Sequence, residues 1–157
     1  MWTKEFFSDG DYNSYIKNIE KQIRGSIEYK NWVQKLREER GAYKCLISES
    51  TLDDCTIEVH HLPFTLFDIV DTVISNQKGQ FCTFTISLEI MQLHFDDFIG
   101  WVPLTHTLHE KVHNGIVEIK PEQIRGKFYE FAVNYKVPND IMRKVNPVLK
   151  ELGYVNA

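Results

Sequence analysis

Five of the six histidines fall in or beside two short segments, Glu58-Val59-His60-His61-Leu62-Pro63 and Val102-Pro103-Leu104-Thr105-His106-Thr107-Leu108-His109-Glu110-Lys111-Val112-His113-Asn114-Gly115. His109 and His113 are four residues apart. On a helix both imidazoles then point to one side, one turn apart, and both can reach a single metal ion. His60-His61 closes the β-branched, alternating run Thr56-Ile57-Glu58-Val59-His60, which reads as a strand. Neighbours on a strand face opposite ways, so the two histidines must play different roles. One can ligate a cation while the other faces a substrate. Imidazoles titrate near neutrality, so the chemistry on offer is proton transfer, metal binding or both.

His109-Glu110-Lys111-Val112-His113 also reads as H-E-x-x-H, the zinc-peptidase signature in which Glu110 is the general base. Glu118, Glu122 or Glu130 could add a third ligand. Two features oppose that reading: Asn114-Gly115 ends the helix directly after the second histidine, and the motif leaves His60-His61 unexplained.

The order strand, His-His, Leu-Pro, strand, then a short helix with His-x-x-x-His-Asn-Gly resembles the HNH (His-Me finger) endonucleases, in the variant of the bacterial nuclease colicins. Trp32, Leu36-Arg37 and Tyr43-Lys44-Cys45 resemble the lead-in of that motif, and the likeness spans roughly residues 30–115. It implies an α+β fold, with a ββα-metal finger embedded in a mainly helical single domain. Residues 43–115 would be the core with a helical insertion over 63–98, flanked by N-terminal helices (1–42) and C-terminal helices (116–157). It implies that His61 is the general base activating water. His60, His109 and His113 would hold one divalent ion (Mg, Mn, Ni or Zn), and the substrate would be nucleic acid, DNA first, cut to 5′-phosphate and 3′-hydroxyl ends. The family's base-orienting asparagine is missing, because its position is Gly100; Asp96, Asp97 or His94 could substitute. Lys111, Lys120, Arg125 and Lys127 are candidate phosphate contacts. Small stand-alone proteins of this kind resemble those of bacteriophages, which implies a place in the host cytoplasm. A catalytically inactive binding protein that keeps the fold is a further alternative.

These groups must be positioned by elements that the pattern predicts. Tyr12, Tyr15, Ile16, Ile19 and Ile23 mark one helix, broken at Gly25-Ser26. A second covers Ser26 to Arg40 with Ile27, Trp32 and Leu36 inward. Tyr43 to Ile47 is a candidate strand. Thr65 caps a helix with Leu66, Ile69, Val70, Val73 and Ile74, and Thr85 to His94 is another. Ile99 to Leu104 is the second strand. Thr107 and Glu110 form a capping box for the short histidine helix. Ile116 to Ile119 reads as a strand, Pro121 to Tyr135 as a helix, and Asn139-Asp140 caps a last helix carrying Ile141, Val145, Leu149 and Leu152.

The chain has 157 residues, ordinary apolar content and ample aromatics, enough for one core. Three cysteines without a C-x-x-C pair fit reduced thiols. The segment from Met1 to Asp9 lacks a signal-peptide pattern, and no run approaches the roughly 20 apolar residues of a membrane span. Net charge is −4, and residues 45–110 hold one Lys against ten Asp/Glu. The net charge argues against an indiscriminate nucleic-acid binder; a phosphate backbone would have to be gripped mainly by the mildly basic flanks, with a bound cation offsetting the acidic middle.

Overall fold

The computed structural model describes residues 8–154; the leader reading of the first residues lies mostly outside them. Helix α1 (Asp9–Gly25) starts at Ser8, whose hydroxyl accepts from the Asp11 N–H, and helix α2 (Ile27–Glu39) follows after one residue. Ser26 makes that corner. Its N–H bonds the Ile23 carbonyl, closing α1, and its hydroxyl accepts from the Tyr29 N–H, opening α2. Because α2 starts at Ile27, its inward stripe runs Tyr29, Trp32, Leu36. Ile27, expected inside, is 68% exposed.

No strand forms over residues 43–47. Glu49 sits at φ 61 and turns the chain back on itself, leaving a single bridge between Lys44 and Thr51. Strand β1 (Ile57–His61) pairs antiparallel with strand β2 (Trp101–Thr105), Ile57 opposite Thr105 and His61 opposite Trp101. Alternation along β1 buries Ile57, Val59 and His61 and leaves Glu58 and His60 half-buried on the other face.

Between the strands lie helix α3 (Leu66–Ser75) and helix α4 (Thr83–Phe95). Thr65 and Asp68 form a reciprocal capping box on α3. Helix α5 (His106–His113) grows directly out of β2. Its cap is Thr105, which accepts from the Leu108 N–H, so the predicted Thr107–Glu110 box is corrected: Thr107 is already inside the helix and Glu110 lies against His106.

After α5 the predicted strand at 116–119 is absent. The predicted helix over 121–135 is split into a single 3-10 turn (Pro121–Gln123) and helix α6 (Phe128–Asn134). The break has two causes. Arg125 and Trp101 exchange both backbone hydrogen bonds at 3.0 Å, pulling this segment onto the free edge of β2. Gly126 has φ 89, and a Cβ there would meet the Ile99 carbonyl oxygen at 2.1 Å. Helix α7 (Asn139–Glu151) follows Pro138 directly, so Asn139 is its first residue rather than its cap.

The result is an α+β arrangement of seven α-helices and one two-stranded sheet among the described residues. Two strands alone are marginal in water; here both faces are covered. The larger core gathers Ile16, Ile19, Phe64, Ile69, Val73, Ile86, Ile90, Trp101 and Phe131. A smaller one (Cys45, Ile57, Val102, Leu104, Ile119) is closed by Leu108 and Val112 of α5. The stretch read as an insertion, residues 63–98, therefore supplies the centre of the main core. No described helix is long and apolar enough to cross a membrane.

Candidate functional site

Strand β1 carries two histidine groups on opposite faces, as its alternation dictates. On the core side His61 is 4% exposed, and its Nε2 lies 3.0 Å from Nε2 of His94 on α4. Nδ1 of His94 lies 2.7 Å from the Ile90 carbonyl, which can only accept. That fixes both tautomers: His94 donates from Nδ1, so its Nε2 accepts, and His61 donates from Nε2. His61 Nδ1 is left as a buried lone pair without a protein partner. The Trp32 ring stacks on His61 at 5.8 Å and meets His94 edge-on at 4.6 Å. Burial pushes His94 down to about 4 and drives His61 well below its ordinary value, with the neighbouring His94 adding to the shift. Both rings stay neutral at pH 7.

On the opposite face Glu58 is the hub. One carboxylate oxygen takes Nδ1 of His109 at 2.5 Å, the other Nδ1 of His106 at 2.9 Å, and Nε2 of His106 lies 3.3 Å from Glu110. Glu58 thus clamps α5 to β1. His60 stands beside this clasp, its ring 4.5 Å from that of His109. Burial, then the nearby His109 and His113, push His60 down to about 4. Burial alone would raise the Glu58 carboxyl, but the hydrogen bonds from His109 and His106 outweigh it and leave it lowered. The Glu58 contact raises His106.

The His106 contribution is complete below the unfolded value, about 6.5, and fades as pH rises through the raised folded value. The Glu58 contribution is present above about 4.3 and fades as pH falls through its lowered value. The clasp is therefore tightest in mildly acidic solution. In an NMR titration, Glu58→Gln should bring the His106 midpoint down toward about 6.5; an unmoved midpoint would show that Glu58 does not hold His106.

His109 and His113 share a cleft of about 500 Å³ with Glu58, His106, Glu110 and Asn114, and a second of about 280 Å³ with His60, Glu20 and Arg24. The predicted ligands His60, His109 and His113 are thus neighbours. Among the described residues, however, no three His, Cys, Asp or Glu side chains are grouped so that they could hold a metal ion, and no ββα-metal finger is seen. Of the substitutes for the missing asparagine, His94 does reach His61. Asp96 accepts from Gln92, and Asp97 pairs with Arg40 at 3.2 Å. Lys111, Lys120 and Lys127 are exposed. Arg125 instead donates to the Arg40 carbonyl and lies 5.4 Å from the Trp101 ring centre. Sequence reasoning missed Glu58, although its place two residues before His60 puts both on one face of β1.

A sheet closed on both faces, a buried neutral histidine pair and a carboxylate clasp define a packed domain in which His61 and His94 engage each other and His106 and His109 engage Glu58. Comparison with known families identifies the kind: the profile of the bacteriophage G278-like virion proteins matches residues 1–155, and the chain belongs to that family. Neither a curated protein nor a solved structure matches it. The family assignment overturns the HNH endonuclease resemblance and, with it, the phosphodiesterase function and its DNA-cutting products; only the phage connection stands. The geometry gives physical reasons. The expected base, His61, is sealed in the core on His94, and Glu110, the base of the peptidase alternative, is turned onto His106.

Proposed function

We propose that this protein is a structural constituent of a bacteriophage particle and works by holding shape and presenting surfaces. The observation that carries the reading is the match to a virion protein family over nearly the whole chain. Its interior supports it: the inner histidine pair is placed for packing, and the outer group fastens a helix to a strand. Particles purified through a density gradient and digested for mass spectrometry should contain the chain at a fixed ratio to the other particle proteins. Phage lacking it should yield fewer or malformed particles. Its absence from clean particles, with the chain left in the unassembled fraction of the lysate, would overturn the reading.

A further inference from the structure

A cavity of about 390 Å³ lies between α2 and the first residues of β1. Tyr29, Val33 and Arg37, one turn apart on a single face of α2, form one wall, and Arg24 reaches in from the last turn of α1. Arg37 is pinned in place, because one guanidinium nitrogen donates to the Ile57 carbonyl at 3.2 Å. Tyr29 is 8% exposed, yet among the described residues its hydroxyl donates to no carbonyl or carboxylate. It stands beside the Arg24 guanidinium, which offsets part of the rise that burial imposes on the phenol. An oxygen facing a cation turns its lone pairs that way, so the Tyr29 O–H is left to donate into the cavity.

Charge in the cavity is unbalanced. Neither arginine is in an ion pair among the described residues. Glu58, the acid on the wall, has its two carboxylate oxygens taken by His109 and His106. Glu20, one turn before Arg24 on α1, lines the neighbouring cavity of about 280 Å³ and stays beyond ion-pair distance of either arginine. The reach of Arg24 is visible in His60 and His61, where burial first, then neighbouring histidines and Arg24, all push the rings downward.

We propose that this cavity binds a phosphate group, as the free ion or as the terminal phosphate of a larger molecule. Two guanidiniums and a phenolic O–H are the donors an oxyanion needs, and guanidinium forks match its oxygens. Charge selects phosphate among oxyanions. A terminal phosphate carries about −1.5 to −2 at neutral pH, which two unpaired arginines balance. A carboxylate, or the diester link of a nucleic acid, carries a single charge and leaves one arginine uncompensated.

The test is an NMR titration of the full chain, following backbone amides at near-neutral pH, with four probes: inorganic phosphate, glycerol phosphate, dimethyl phosphate and acetate. Inorganic phosphate and glycerol phosphate should shift the amides of Arg24, Tyr29 and Val59, with Kd about millimolar or tighter. Whichever of the two binds more tightly assigns the site to the free ion or to the larger molecule. Dimethyl phosphate and acetate should bind at least about tenfold more weakly. Arg24→Gln, at an exposed position, should weaken phosphate binding by about tenfold, and Tyr29→Phe, which keeps the ring, by about fivefold. Circular dichroism checks that both variants are folded. No shift of these amides at about ten times the expected Kd, equal binding of acetate or dimethyl phosphate, or indifference to Arg24→Gln would each overturn the proposal.

Discussion

Replacing Gly100 by alanine is expected to destabilise the protein by about 3 kcal/mol or more, one of the largest single-methyl effects available in this chain. A Cβ at that position would lie 2.1 Å from the Leu62 carbonyl oxygen and 3.0 Å from a ring carbon of Phe128. The phenyl ring can shift. The carbonyl cannot, because the same stretch of backbone is tied by the hydrogen bond from Leu62 N–H to the Gly100 carbonyl at 3.2 Å. In a domain of this size the loss should appear as a fall of roughly 6–12 °C in melting temperature. Asparagine at the same place should do no better, since it carries the same Cβ. An unchanged melting temperature in Gly100→Ala would show that the two chain segments can separate without cost. The position read as a lost catalytic asparagine is thus one that admits no side chain at all.

Acid should weaken the fold through the buried pair. In the unfolded chain a histidine takes up a proton at about 6.5, whereas His94 in the folded protein does so only at about 4. A group with a depressed folded value contributes no penalty above the unfolded one. As pH falls below that, the unfolded state binds a proton that the folded state refuses, so stability drops until pH reaches the folded value. The gap between the two values corresponds to about 3 kcal/mol lost by about pH 4, and burial of His61 acts in the same direction. Urea unfolding at about pH 7 and about pH 4.5 should show the fall, and the apolar double variant His61→Phe/His94→Leu should flatten it. A wild-type curve with no change over that interval would mean that the pair is hydrated rather than sealed.

The elements were largely legible where one local signal dominated. Periodicity placed α1 to α4, with a clean inward stripe in α1 and α3 but exposed apolar residues on α2 (Ile27) and α4 (Phe84, Leu88), and alternation placed β1 and β2. Errors fell where distant backbone decides the conformation. Nothing local in Ile124 to Lys127 announces that Arg125 will pair with Trp101, and helical spacing on either side masked the break. Thr105 and Thr107 are equally good caps by type, and the end of β2 chose between them. At the site, the two faces of β1 were foreseeable from strand geometry, and the common side of His109 and His113 followed from their spacing, whereas their grouping with His60 came only from the nuclease resemblance. Which histidine would be solvent-facing was not, since that depends on Trp32 and His94 arriving from two other helices. The resemblance to a nuclease rested on residue types in order. Those types recur wherever imidazoles and carboxylates fasten a helix to a strand, so the order alone could not separate catalysis from architecture.

The outer edge of β2 bears on how such a domain can be built into a larger object. Pro103 has no N–H to offer, its carbonyl is taken by Leu46, and Trp101 has given both its backbone groups to Arg125. Ile57 on β1 yields its carbonyl to the Arg37 guanidinium. A neighbouring chain therefore finds few open rungs on which to add a strand, the route by which exposed sheets join without regard to side chains. Joining must be decided by side-chain surfaces, whose fit depends on sequence, and many copies crowded together are thereby kept from merging through their sheets.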